Sequence, residues 1–132
     1  METSPQIFKR SEWSYLNLEL VVDPQYVKEQ PELYKNISMD FISWKSIIKA
    51  SLGKLYGIIG ESIHLDILDM SKINIPAKVL VRIPREDNEK LVNSLMAFTF
   101  KLSAYGGEID SACHVRVNKS ADYLGLVLDN DF

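Results

Sequence analysis

Hydrophobic and polar residues alternate from Trp13 to Val22, with Leu16, Leu18, Leu20 and Val22 on one side and Trp13, Tyr15, Asn17 and Glu19 on the other. A period of two predicts a half-buried β-strand over residues 13–22. Asp23-Pro24 breaks the strand, and residues 25–37, polar and interrupted by Pro31, predict a surface excursion with at most a short helix. From Phe41 the period changes. Phe41, Trp44, Ile48, Leu52 and Leu55 recur every three or four residues, an apolar stripe along a helix that Ser38, Asp40 or Ser43 would cap. Within Leu55-Tyr56-Gly57-Ile58-Ile59-Gly60, Gly57 is the expected helix stop, because the left-handed conformation that ends many helices favours a residue without Cβ. Gly60 then lets the chain turn into the next strand, so both glycines are assigned structural roles.

Alternation returns at Ile63, Leu65 and Ile67 and again at Val79, Val81 and Ile83. The connector, 71–76, is too short for a crossover helix, so these two strands should form an antiparallel hairpin, with Pro76 ending the loop. Residues 85–101 predict a second helix. Glu86, Asp87 and Glu89 suit the positive end of its dipole, Leu91, Leu95, Phe98 and Leu102 form its stripe, and Val92 and Met96 widen it. Ile109, Ser111, Cys113, Val115 and Val117 then mark a fourth strand, and residues 123–128 suggest one more strand at the sheet edge. The order βαββαβ, with that extra C-terminal edge strand, is the ferredoxin-like α+β sandwich shared with RNA recognition modules. Both helices would cover one sheet face and leave the other for solvent or a partner.

At 132 residues and 46% hydrophobic, the chain suits a single domain over residues 1–132, with flexible segments expected at 1–12 and 129–132. No apolar run approaches the about 20 residues that span a bilayer, and the start, METSPQIFKRSEW, lacks the apolar core of a secretory signal. No membrane association is expected. A net charge of −3, spread evenly over both halves, argues against a basic module that coats nucleic acid through general electrostatics. Lys45 and Lys49, four apart on the first helix, are either a solvated face or a local contact for phosphate.

Catalytic chemistry finds few candidates. Cys113 is the only cysteine and alternates with His114, so a strand would point the two to opposite faces and deny them a dyad. His64 and Asp66 share a strand face, but two ligands are too few for a closed metal site. The sequence has no P-loop, no Cys-x-x-Cys and no Gly-x-Ser-x-Gly elbow, so neither cofactor nor metal is expected. Trp13 and Tyr15 lie on the outer face of the first strand, yet residues 77–83 hold no aromatic to continue a base-stacking platform. A protein interface suits them better.

A helix ending Leu55-Tyr56-Gly57-Ile58-Ile59-Gly60, a hairpin strand ending in Arg82, a helix over 89–98 and the strand Cys113-His114-Val115-Arg116-Val117 occur here in one order. Together they resemble the small α/β subunits of eukaryotic ribonuclease P and ribonuclease MRP. The entry Glu12-Trp13-Ser14-Tyr15 and the run Ser43-Trp44-Lys45 are most similar to the smallest fungal member. The resemblance implies a noncatalytic subunit of a ribonucleoprotein whose RNA cleaves precursor tRNA at the 5′ leader or precursor rRNA. It also implies a heterodimer with a related sibling subunit, contact with a larger barrel-type subunit and with the particle RNA, and residence in the nucleus and nucleolus. The better known members carry Ser-Gly-Thr in the turn where this chain has Asn118-Lys119-Ser120-Ala121. Trp13, Tyr15, Tyr56, Leu80 and Arg82 are the candidate partner interface, and Lys45, Lys49, Arg116 and Lys119 are the candidate RNA contacts. The competing class on the same fold is a small-ligand-binding or regulatory module.

Overall fold

The computed structural model describes residues 12–105 and 109–128, apart from the side chain of Ser71. The expected flexible segments at 1–12 and 129–132 therefore lie outside the described residues, except for Glu12, whose carbonyl accepts from the Arg85 N–H at 2.9 Å. The alternating segment Trp13–Val22 is strand β1, and it lies at the centre of a five-stranded sheet of order β2-β3-β1-β5-β4. β1 is antiparallel to β3 (Lys78–Pro84) on one side and to β5 (Ala112–Ala121) on the other. β3 also forms the expected hairpin with β2 (Asp66–Lys72).

Between β1 and β2 the chain makes two short helices, α1 (Pro24–Glu29) and α2 (Pro31–Lys35), and the long α3 (Phe41–Glu61). Proline opens both short helices, where its missing N–H costs nothing. Of the candidate caps for α3, Asp40 is the one used: its Oδ1 accepts the Ser43 N–H at 2.7 Å. Trp44, Ile47, Ile48 and Leu52 are buried, whereas Phe41 and Leu55, expected in the same stripe, are exposed. The two lie at the ends of the helix, beyond the part that meets the core.

Besides the exposed Phe41 and Leu55 and the second short helix where at most one was expected, three further expectations need correction. β2 begins at Asp66, not at residue 63. Ile63 and Leu65 are buried in the core, but their carbonyls accept from lysine side chains on α3, so no strand ladder claims them. The second helix, α4 (Asn88–Met96), follows a 3-10 turn at Arg85–Asp87 and stops well short of residue 101. Phe98 and Leu102 are still buried, because the chain leaves the helix to pair β4 (Phe100–Lys101) with the edge of β5, whereas Met96 is exposed. Residues 123–128 add no strand. They contain a 3-10 turn at Leu124–Leu126, and Val127 turns onto the outer face of the sheet, where the Asn17 side chain claims its carbonyl.

The core lies between the sheet and α3 with α4. Leu16, Leu18, Leu20 and Val22 meet Val79, Val81, Ile83, Cys113 and Val115 on the inner face, under Trp44, Ile48, Leu52, Leu91 and Leu95. Each of these side chains follows the period of its element. This is the α+β, ferredoxin-like arrangement expected from the element order, with both helices on one face of the sheet.

Candidate functional site

The carboxyl end of α3 reverses at Gly57. Its φ of 65° and ψ of −146° lie outside the helical basin and in a region that residues with a Cβ rarely adopt. Residues 58–61 then form one more turn folded back on the helix, so closely that a Cβ on Gly60 would collide with the Leu52 carbonyl. Gly57 thus kinks the helix and does not end it in the expected left-handed conformation, because the helical turn resumes up to Glu61. The reversal leaves Ile58 83%, Ile59 71% and Leu55 49% exposed, next to the half-buried Tyr56. Ile58, Ile59 and Leu55 thus form an exposed apolar patch at the end of α3. Sequence reasoning missed Ile58 and Ile59 by counting them as part of the helix end. Their signal was position: they follow the glycine stop and so fall off the core stripe.

Lys45 and Lys49 face the same reversal from the body of α3. The Lys45 Nζ donates to the Leu65 carbonyl at 3.1 Å, and the Lys49 Nζ donates to the Glu61 carbonyl at 3.0 Å and to the Ile63 carbonyl. Burial and the neighbouring Lys45 charge lower the Lys49 pKa, and the Glu61 charge partly offsets them. These lysines thus latch the chain that leads into β2. As candidate RNA contacts, they present ammonium groups already engaged with backbone carbonyls.

On the outer face of the sheet, Trp13, Tyr15 and Arg82 come together, because Tyr15 is the register partner of Arg82 and Trp13 that of Pro84. The Arg82 guanidinium lies 4.2 Å from the Trp13 ring centroid, and its Nε donates to Asp66 Oδ2 at 2.7 Å. Asp66 Oδ1 lies 3.0 Å from His64 Nε2, and the His64 ring is tilted against Trp13 at 5.8 Å. The Arg82 hydrogen bond, ahead of a smaller His64 contribution, holds the Asp66 carboxyl below its ordinary value. The same bond raises the Arg82 pKa. One face of Trp13 is therefore covered by Arg82, which forms an aromatic-cation corner.

Leu80 differs from the other candidate interface residues, being only 3% exposed. The C-terminal residues 127 and 128 lie over this part of the face: Asn17, the register partner of Leu80, donates its Nδ2 to the Val127 carbonyl at 3.0 Å. Nearby, Lys119 donates to the Leu128 carbonyl at 3.1 Å, and Arg116 pairs with Glu19 at 3.1 Å and donates to Asn118 at 3.0 Å. The structure thus brings Trp13, Tyr15 and Arg82 into one corner, puts Leu80 under the C-terminal segment, and sets Tyr56 apart at the end of α3.

The catalytic candidates resolve simply. Burial pushes the Cys113 thiol up to about 11, its Sγ lies 3.5 Å from the Ser111 carbonyl, and His114 is exposed on the opposite face. Cys113 is a protonated core side chain at neutral pH. Among the described residues, no group of three or more His, Cys, Asp or Glu side chains is placed to hold a metal ion.

Residues 12–98 match the family described as ribonucleases P/MRP protein subunit Pop8. The fold is similar to a chain in the cryo-EM structure of yeast ribonuclease MRP, with a TM-score of 0.72 and 18% identity over 93% of this chain and 83% of that one. No curated protein sequence matches the chain. The family match covers well over half of the chain, so this protein belongs to the Pop8 family of ribonuclease P/MRP protein subunits.

Proposed function

We propose that this ribonuclease P/MRP subunit is noncatalytic and acts as a protein-binding scaffold, with direct RNA contact secondary. The observation that carries this reading is the contrast at α3: the lysines best placed for phosphate are held on backbone carbonyls, whereas Ile58 and Ile59 are 83% and 71% exposed. Phosphate binding rests on cationic side chains that displace the counterions condensed on the nucleic acid. Protein interfaces instead rest on apolar anchors that can be fully desolvated. The partner best suited to this surface is a related small α/β sibling subunit, and the Trp13–Arg82 corner supplies a second, polar contact, suited to a larger barrel-type subunit. In this role the chain supports an RNA-catalysed removal of precursor tRNA 5′ leaders and processing of precursor rRNA, in the nucleus and nucleolus.

The experiment that tests the proposal is affinity capture of the chain from native cells, with and without ribonuclease treatment before washing. RNA sequencing and mass spectrometry would identify what remains bound. A scaffold keeps its protein partners after the RNA is digested. Loss of all partners on digestion would show that RNA, and not protein, holds the chain in the particle.

A further inference from the structure

An open recess of about 230 Å³ lies where β1 runs into α1 and β5 begins, at the opposite end of β1 from Trp13. The backbone holds together the segments that build it. The Asp23 N–H donates to the Ala112 carbonyl at 3.0 Å, and Phe100, just after Thr99, is the register partner of Cys113. Val22 and Cys113 are buried and form the floor, whereas Asp23, Thr99, Ala112 and His114 are exposed and form the wall.

The polar groups of the recess have spare capacity. Asp23 Oδ1 accepts the Gln25 N–H at 3.0 Å, as the cap of α1, but among the described residues no lysine or arginine pairs with this carboxylate. On β4, Lys101 is already paired with Asp110 at 3.3 Å. The Thr99 hydroxyl and the His114 ring have no hydrogen-bond partner among the described residues. An uncompensated carboxylate thus stands beside two further polar groups over an apolar floor.

Such a recess selects against anions and for a cation. Pro24 has no N–H, that of Gln25 is taken, and the carboxylate repels phosphate. The volume falls below the about 300–1,000 Å³ of sites for free small molecules and suits a single side chain. Arginine fits it better than lysine. Its guanidinium is the more weakly hydrated, stacks on aromatic rings and carries several donors, so it can meet a carboxylate, a hydroxyl and an imidazole together, with its apolar stem on the floor.

We infer that the recess seats one arginine side chain of another protein subunit, with Asp23 as its counter-ion and Thr99 and His114 as flanking contacts. The site shares no residue with the end of α3 or with the Trp13 corner, so it does not depend on the contact proposed for Ile58 and Ile59.

The test titrates the isotope-labelled full chain with N-acetyl-arginine amide and follows the backbone amides by NMR. The expected result is a saturable shift confined to the neighbourhood of Asp23, Thr99 and His114. Replacing the probe by N-acetyl-citrulline amide, its uncharged isostere, or the chain by Asp23→Asn should each weaken binding about fivefold, the scale of one exposed ion pair. Asparagine caps a helix as well as aspartate does, so Asp23→Asn keeps α1, and a thermal melt should show an unchanged fold. Asp110→Asn, which removes an equal charge outside the recess, should leave binding unchanged. The absence of a saturable shift near Asp23, or an equal loss in Asp23→Asn and Asp110→Asn, would overturn the site. Equal affinity for the arginine and citrulline probes would overturn Asp23 as counter-ion. Tighter binding of guanosine monophosphate than of the arginine probe would overturn a protein side chain as the ligand in favour of RNA.

Discussion

The two faces of the sheet are built by different rules. On the inner face, Leu16, Leu18, Leu20 and Val22 alternate into a core with Val79, Val81, Ile83 and Val115, and each side chain is buried for one reason, its period. On the outer face, burial is local: Asn17 is buried and bonded to the Val127 carbonyl, its register partner Leu80 is buried beside it, and Arg82 stacks on Trp13. The inner face specifies the fold, whereas the outer face and the end of α3 hold the candidate contact residues.

The largest expected effect lies inside. Leu18→Ala, at a residue with 0% exposure in a rigid core, should destabilise the protein by about 3 kcal/mol in chemical denaturation. Leu80→Ala, at 3% exposure beneath a segment that can settle into the gap, should cost about 1 kcal/mol. Equal costs would erase the distinction between the faces. Between these in size lies the end of α3, where Gly57→Val forces a β-branched residue into a φ of 65° and should cost about 2 kcal/mol. That variant should also weaken partner capture, because the same turn presents Ile58 and Ile59.

The smallest effect concerns the polar corner and depends on pH. Hydrogen bonding to Arg82 holds the Asp66 pKa below its unfolded value, so the carboxylate favours the folded state above the unfolded pKa, near 4. That contribution fades as pH falls through the lower, folded value. Thermal melts should therefore show Asp66→Asn less stable than the unmodified chain at pH 7, with the gap closing as the pH drops below about 4. A gap that widened on acidification would contradict the assignment of Arg82 as the dominant partner.

Most of the fold was legible because one period governs each element: β1 and the start of α3 follow directly from the spacing of Leu16 to Val22 and of Trp44 to Leu52. What escaped depended on contacts distant in sequence. The start of β2 moved because Lys45 and Lys49 hold the carbonyls of residues 61, 63 and 65, and α4 shortened because Phe100 pairs with Cys113. The segment 123–128 forms a 3-10 turn and no strand, and the Asn17 side chain, 110 residues away in sequence, donates to its Val127 carbonyl. The candidate site was legible in part for the same reason. Trp13, Tyr15 and Arg82 share a face by register, whereas the exposure of Ile58 and Ile59 follows from a reversal that residue spacing alone does not describe.

The central claim, that this subunit is held by protein contacts at the end of α3, is tested most directly by capture from cells of two exposed double variants. The account predicts that Ile58→Asp with Ile59→Asp loses the protein partners, whereas Lys101→Glu with Arg116→Glu, two exposed cations, retains them. The opposite pattern, with partners kept by the aspartate pair and lost on charge reversal, would show that electrostatic contact with RNA holds the chain in the particle.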